Sequence, residues 1–445
     1  MNRDRVLDQL GEFLRIPSVS TDPAHDADCR RAAEWVAAEL RRLGCREVEL
    51  LGSDTHPVVW GVGPEVPGAP VLLVYGHYDV QPPDPLDQWT SPPFEPTVRD
   101  GRIFARGAAD DKGQVFCVLQ AVAALGRPPV NFRFLIEGQE ESGSKVLFDL
   151  LRREPRRTRA DAVLVADMAY VAPGWPAVYT ALRGLCYAEI TVRTARTDLH
   201  SGEYGGAAPN AHEALIRLLA RLKGEDGRIR IPGLYAAVRR PSRAELKAWQ
   251  ELPFDEREFR IRRVGAKALT GMARYSVLER LWALPTFEIH GIRGGFTGDG
   301  AKTVIPAEAT AKVSLRLVPD QRVKTVERQL ERAVRRAAPP YATVAVRFLH
   351  GADPAVIRLD HPVFRLLDQA FREVVGRGTV PVRAGGSIPV VPALARGGAP
   401  LVLTGIGLPD DRLHAPDEKL DLKQLWDGMA VFRRFFELVG GMRKR

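Results

Sequence analysis

The chain has 445 residues, too many for one ordinary hydrophobic core, so two or three compact units are expected. Its 45% apolar and 27% charged residues are those of a globular protein, and no apolar run approaches the ~20 residues of a membrane helix. The net charge of +9 would suit a nucleic-acid binder. The arginines, however, are spread along the chain in short clusters such as Arg152-Arg153 and Arg156-Arg157, so neither nucleic acid nor a membrane is an expected partner.

The opening stretch "MNRDRVLDQLGEFLRIPSVS" is interrupted by charges throughout and offers no signal-peptide core, so a cytoplasmic location is expected. Cys29, Cys45, Cys117 and Cys186 show no C-x-x-C spacing, which argues against a disulfide framework or a thiolate zinc site and fits a reducing compartment. The periodicity of "DCRRAAEWVAAELRRLG" predicts a helix with Ala32, Ala33, Val36 and Leu40 on one face, ending near Gly44. "VLLVYGHYDV" follows. Its run from Val71 to Tyr75 predicts a strand covered on both faces, and it ends in His77 and Asp79. Next come a helix in "GQVFCVLQAVAALG", a strand over 130–138, a basic helical stretch and a strand over 161–167. Strands separated by helices predict a mostly parallel α/β sheet.

From about Gly184 the pattern changes, because "LCYAEITVRTA" alternates apolar and polar residues as a strand with one exposed face does. The order becomes strand 185–194, helix 210–223, strand 286–292, strand 309–318, helix 321–337, strand 342–349, the split βαβ plan, with an insertion over about 225–284. After about Asp353 the α/β character returns with the helix "HPVFRLLDQAFREVVG", a strand over 400–407 and a closing helix over 422–438. The simplest organisation is one α/β domain in two segments, 1–183 and 354–445, with a smaller domain, 184–353, inserted between them.

In open α/β sheets ligands bind beyond the carboxyl ends of the strands. There this chain places His77 and Asp79, then Glu140 and Glu141 of "GQEESGS", then Asp167, then His414 of "LPDDRLHAP", with Asp110 and Asp111 of "RGAADDKG" opening a helix. Several carboxylates on one rim repel one another and resist desolvation unless a cation neutralises them. Imidazole and carboxylate without thiolate suit Zn²⁺, Mn²⁺ or Co²⁺. More carboxylates than one ion needs points to two ions about 3.5–4 Å apart, sharing a bridging carboxylate.

"GHYDV", "RGAADDKG", "EGQEESGS", the lone Asp after the next strand and the late histidine together resemble the M20 family of metallopeptidases. Within it they are most similar to the cytosolic dipeptidase and carnosinase branch, over nearly the whole chain. The resemblance implies an α/β fold: a mostly parallel-sheet catalytic domain of the zinc-exopeptidase type, with an inserted ferredoxin-like α+β domain acting as lid and dimerisation element. It implies two divalent ions, Zn²⁺ first and Mn²⁺ or Co²⁺ as alternatives. His77 and Asp167 would bind one ion, Glu141 and His414 the other, and Asp110 would bridge. Asp79 would hold the His77 ring in its coordinating orientation, and Glu140 would be the general base. For Asp111 the family suggests a strained peptide linkage with Asp110, while an ordinary helix N-cap carboxylate fits the residues equally. His200 of "TDLHSGEYGG" would supply an oxyanion donor, in many members across a dimer interface. Thr303 and Arg316 would contact substrate, Arg316 being on an alternating strand where it can bind a carboxylate bidentately. Gly386 and Ser387 of "AGGSIPVV" would hold the substrate's terminus.

The chemistry expected is metal-assisted amide hydrolysis in which Glu140 moves a proton from water to the leaving amine. Adjacent Glu140 and Glu141 can divide base and ligand roles if the segment is extended, since neighbouring side chains then point to different sides. The substrates expected are dipeptides or short peptides with a free C-terminal carboxylate, acted on by a homodimer joined through the inserted domain. An N-acyl-amino-acid amidohydrolase of the deacetylase or desuccinylase type shares the metal core, but "GQEESGS" and "GGSIPV" look more like the dipeptidase branch. A non-enzymatic carrier on a dead hydrolase scaffold conflicts with the complete set His77, Asp110, Glu140, Glu141, Asp167 and His414.

Overall fold

The computed structural model of the protein describes residues 2–386 and 388–442. The chain forms two compact units. One comprises the described residues of Met1–Thr180, Ile357–Val382 and Ile388–Arg445, the other those of Ala181–Val356 and Arg383–Ser387.

In chain order, α1 (Arg3–Leu14) begins after Asn2, whose side chain accepts from the amides of Asp4 and Arg5. The helix α2 (Asp26–Arg42) buries Ala32, Ala33, Val36 and Leu40 and stops just before Gly44, where φ is 81°. There follow β1 (Glu47–Leu51), β2 (Val58–Val62), β3 (Val71–His77), α3 (Lys112–Ala123), β4 (Asn131–Glu137), α4 (Lys145–Arg153) and β5 (Ala162–Ala166). The second unit contributes β6 (Gly184–Arg193), α5 (Ala211–Leu222), β7 (Thr286–Gly294), β8 (Glu308–Leu317), α6 (Val323–Ala337) and β9 (Thr343–Ala352). The chain then returns to the first unit with α7 (Pro362–Val375), β10 (Leu401–Thr404) and α8 (Leu422–Gly440).

The first unit is built on a six-stranded sheet of order β1-β2-β4-β3-β5-β10. The four strands from β4 to β10 are parallel, and β1 and β2 form an antiparallel hairpin at one edge that the sequence did not signal. Leu72, Leu73, Val74 and Tyr75 of the central β3 are buried, as the apolar run requires of a strand covered on both faces. The helix α3 is buried from Lys112 to Val122, so its face toward the sheet carries no polar stripe.

The second unit has the expected β-α-β-β-α-β order, in an antiparallel sheet arranged β7-β8-β6-β9. Apolar residues alternate along β6 and β8, and Ile190, Val192, Val313 and Leu315 meet Leu215 and Leu218 of α5 and Leu330 and Val334 of α6 in one core. The 225–284 stretch carries short helices over Arg243–Gln250 and Val277–Trp282, each opened by a serine capping box. Trp249 and Trp282 meet edge to face at 5.2 Å between them. Among the described residues no helix is long and apolar enough to cross a membrane.

Candidate metal centre

Strand β3 carries His77 to its carboxyl end, where the side chain is 1% exposed. His77 Nδ1 lies 3.0 Å from the Asp79 carbonyl and 3.4 Å from Asp79 Oδ1. A proton on Nδ1 donated there leaves the Nε2 lone pair facing the cluster. Nε2 stands 3.2 Å from Asp110 Oδ1 and 3.9 Å from Asp167 Oδ2. Asp167 directly follows β5, the strand beside β3.

Asp110 lies at the head of α3, which presses closely on the end of β3. A Cβ at Gly76 would sit 2.5 Å from Val115 Cγ2 and 2.8 Å from Asp111 Oδ2, so only glycine leaves room for that approach. Asp111 does precede α3, but its side chain makes no helix cap. Its Oδ2 accepts from the His77 amide at 3.1 Å, which corrects the N-cap alternative; the 110–111 peptide is cis.

The second oxygen of Asp110 lies 3.0 Å from His414 Nε2, and Glu141 Oε1 lies 3.1 Å from the same nitrogen. His414 is carried at φ 58° in the loop after β10. Two clusters of three ligand atoms result, His77–Asp110–Asp167 and Asp110–Glu141–His414, each within 4.8 Å, with Asp110 common to both.

Glu140 and Glu141 do not sit on an extended segment. They begin a 3₁₀ turn over Glu140–Ser142, whose three-residue repeat still sends successive side chains about 120° apart, so the two carboxylates diverge. The turn is anchored by Asp79, which is fully buried. Its Oδ1 accepts from the Glu140 amide at 3.2 Å, and its Oδ2 from the Glu141 amide at 3.1 Å and the Ser20 hydroxyl at 2.6 Å. Asp79 therefore ties the Glu140–Glu141 turn to the end of β3, a wider part than orienting one ring. Gln81 Nε2 donates to Glu141 Oε2 at 2.7 Å.

The electrostatics of the cluster call for positive charge. Burial, then the charges of Asp111 and Asp110, push the Asp167 carboxyl well above the ordinary range. Burial above all does the same to Glu140. Hydrogen bonds donated to Asp110 and Glu141 raise His414 to about 10, and, although burial opposes it, those donated to Asp110 and Asp79 raise His77. In each case a proton is held where a cation would otherwise balance the carboxylates. Two ligand atoms each about 2.1 Å from one tetrahedral ion are about 3.4 Å apart, which the 3.0–3.9 Å separations here bracket. The residues fit two divalent ions held by nitrogen and oxygen donors.

Two buried side chains and one partly buried one escaped the sequence reading. Ser20 lies 59 residues from its partner Asp79. Lys112 is wholly buried, and its Nζ donates to the carbonyls of Phe13 at 3.1 Å and Ile16 at 2.5 Å, while burial pushes its pKa down to about 7. Glu418, also fully buried, accepts from the backbone that carries Asp110. The only sequence cue was that Lys112 and Glu418 lie within "DDK" and "HAPDEK"; nothing marked Ser20.

The other named residues belong to the second unit. His200 is exposed, its Nδ1 accepting from the Gly202 amide at 3.0 Å. It pairs with Val304 in a short ladder beside Thr303, whose carbonyl accepts from the Ser201 amide. Arg316, on β8, is half-buried, and burial lowers its pKa. Its charge acts on Arg183, lowered to about 10 first by burial and then by Arg316. The Arg183 amide donates to the Gly386 carbonyl at 3.1 Å. Ser387 lies outside the described residues.

Residues 73–438 match the model of Peptidase family M20/M25/M40. The chain belongs to peptidase family M20. Over 97% of its length this M20 peptidase is 33% identical to a Cys-Gly metallodipeptidase of Schizosaccharomyces pombe, covering 94% of that protein. It is 31% identical to the Beta-Ala-His dipeptidase of Homo sapiens, over 98% of this chain and 90% of the relative. The crystal structure of the M20 metallo-carboxypeptidase Sso-CP2 from Sulfolobus solfataricus superposes with a TM-score of 0.86 at 28% identity, covering 98% of this chain and 99% of that one. The M20 peptidase is a hydrolase, and its imidazole–carboxylate cluster has the composition of a dinuclear metal site.

Proposed function

We propose that this M20 peptidase hydrolyses the peptide bond of dipeptides and short peptides bearing a free C-terminal carboxylate. The observation that carries the reading is the pair of three-ligand clusters joined through Asp110. His77 and Asp167 would hold one divalent ion, Glu141 and His414 the other, with Asp110 shared and Zn²⁺ the first expectation over Mn²⁺ or Co²⁺. When bound, such ions polarise a carbonyl and make water nucleophilic near neutral pH.

The chain's own residues supply the rest. Asp79 orients His77 through its backbone carbonyl and fixes the turn that presents Glu140. Glu140 accepts the proton from water and delivers it to the leaving amine. His200 donates to the developing oxyanion, and Arg316, with Thr303, Gly386 and Ser387, receives the substrate's carboxylate end. The second unit serves as lid and as the contact surface of a homodimer, and the enzyme works in the cytoplasm. The relatives named as dipeptidases support this substrate class over N-acyl amino acids.

The decisive experiment is a substrate panel. Enzyme stripped of metal and reconstituted with Zn²⁺ or Mn²⁺ is assayed on free dipeptides and on N-acetyl and N-succinyl amino acids. Dipeptide cleavage is expected to dominate, and turnover confined to the acyl amino acids overturns the assignment.

A further inference from the structure

Glu418 is fully buried in the first unit, yet none of the chemistry above uses it. Its Oε1 accepts from the amides of Ala109 at 2.9 Å and Asp110 at 3.0 Å. Its Oε2 accepts from the Gly107 amide at 3.0 Å and from Arg106 Nη1 at 2.7 Å. One carboxylate thus gathers three backbone amides of the short loop that delivers Asp110. Arg106 is 1% exposed, donates also to the Pro82 carbonyl at 3.2 Å, and balances the buried charge.

The same residue stands four positions after His414. Its own stretch of chain is fixed as well. The Ala105 amide donates to the Glu418 carbonyl at 3.1 Å, and Lys419, 5% exposed, donates from Nζ to Asp411 Oδ1 at 2.7 Å and Asp421 Oδ2 at 2.8 Å. Asp411 Oδ2 in turn accepts from the Leu408 amide at 2.5 Å. The loop holding His414 is therefore pinned on both sides of a residue that is itself half exposed and in the left-handed region.

We propose that Glu418 is a positioning residue for the metal centre, locking the Asp110 loop to the His414 loop so that Asp110 and His414, two of the three ligands of the second ion, keep a fixed separation. A buried ion pair is a poor device for stability alone, since apolar side chains of similar volume commonly do as well. An apolar side chain, however, accepts no amide hydrogen, and the direction of three amides in 107–110 sets where the Asp110 carboxylate points. Asp79 does the same for the Glu140–Glu141 turn, so both ligand-bearing loops are oriented by a buried carboxylate acting on main-chain amides.

This inference rests on the two-ion reading, and its test separates the two. Mn²⁺ is titrated calorimetrically into metal-free wild-type, Glu418→Gln, Glu418→Asp and Arg106→Lys proteins, alongside thermal unfolding of each metal-free form and kcat and KM at saturating Mn²⁺. The amide of Glu418→Gln turns an NH₂ toward backbone donors, and the shorter carboxylate of Glu418→Asp falls short of them. Each is expected to weaken the binding of one ion by about 10–100-fold and to lower kcat, with KM within about twofold of wild type. Arg106→Lys keeps the acceptor and a cation and should bind both ions nearly as wild type does. If Glu418→Gln does not fold, Glu418→Asp alone decides. A folded Glu418 variant with a lowered unfolding temperature but wild-type Mn²⁺ affinity overturns the positioning role and leaves a structural one. Wild-type protein that binds fewer than two ions overturns the two-ion reading, and this inference with it.

Discussion

Glu140 and Glu141 are neighbours with different proposed duties, and the 3₁₀ turn from Glu140 to Ser142 is what separates their side chains. A glutamine at 140 keeps the size of the side chain and removes its capacity to take a proton. Glu140→Gln should retain two bound metal ions and a wild-type unfolding temperature while losing about 10²–10⁴ in kcat. Metal analysis beside steady-state kinetics checks this, and near-normal turnover removes Glu140 from the base role. The same residue pair shows the limit of reading side chains from a string. Local rules assume an extended strand end, whereas the main chain turns as soon as Asp79 captures the two amides.

Among the elements, the helix Arg243–Gln250 within the 225–284 insertion is tied to its surroundings by the packing of Trp249 and by the charge of Glu245. Glu245 Oε2 accepts from the Ser242 amide at 2.8 Å, closing the capping box, and its Oε1 pairs with Arg383 at 2.7 Å. Arg383 is 4% exposed, so removing its partner strands a buried cation. Glu245→Ala should cost about 3 kcal/mol, at the lower end of what breaking such pairs costs, measured by denaturant unfolding. Although burial opposes it, the Ser242 amide and Arg383 together hold the Glu245 carboxyl below its ordinary 4.5. Its contribution is therefore present above about pH 4.5 and disappears as pH falls through the lower folded-state value. The difference in stability between wild type and Glu245→Ala should shrink as pH drops below about 4.5, and a difference that grows there contradicts the ion-pair account.

For the whole molecule, the clustering of ligands from β3, α3, the Glu140 turn, β5 and the His414 loop makes metal binding a property of the folded first unit. An ion that binds only the folded state at a hundred times its Kd adds about 2.7 kcal/mol. Chelation should thus lower the unfolding temperature by several degrees, and excess Zn²⁺ or Mn²⁺ should restore it; a transition indifferent to chelator removes the case for structural coupling. The proposed use of His200 across a dimer has its own check. Co-expressed Glu140→Gln and His200→Ala chains should regain activity that neither has alone, because a mixed dimer then contains one site with both groups intact. Strict absence of complementation, with mixed dimers present, assigns His200 to its own subunit or to no catalytic part.

The sequence by itself indicated the main helices and strands, the β-α-β-β-α-β order of the second unit and the residues that gather in the candidate metal cluster. Local periodicity sets helix and strand, and metal ligands sit at predictable strand ends. Only the tertiary structure decided which buried groups orient those ligands. Asp111 turns to the His77 amide instead of capping its helix, Ser20 reaches Asp79 across 59 residues, and Glu418 reaches the Asp110 loop across 308. It likewise decided that β1 and β2 pair as an antiparallel edge and that 383–386 joins the second unit. Hydrogen bonds between segments so far apart leave no periodic trace, because they depend on where folding brings two chains together and not on the spacing within either one.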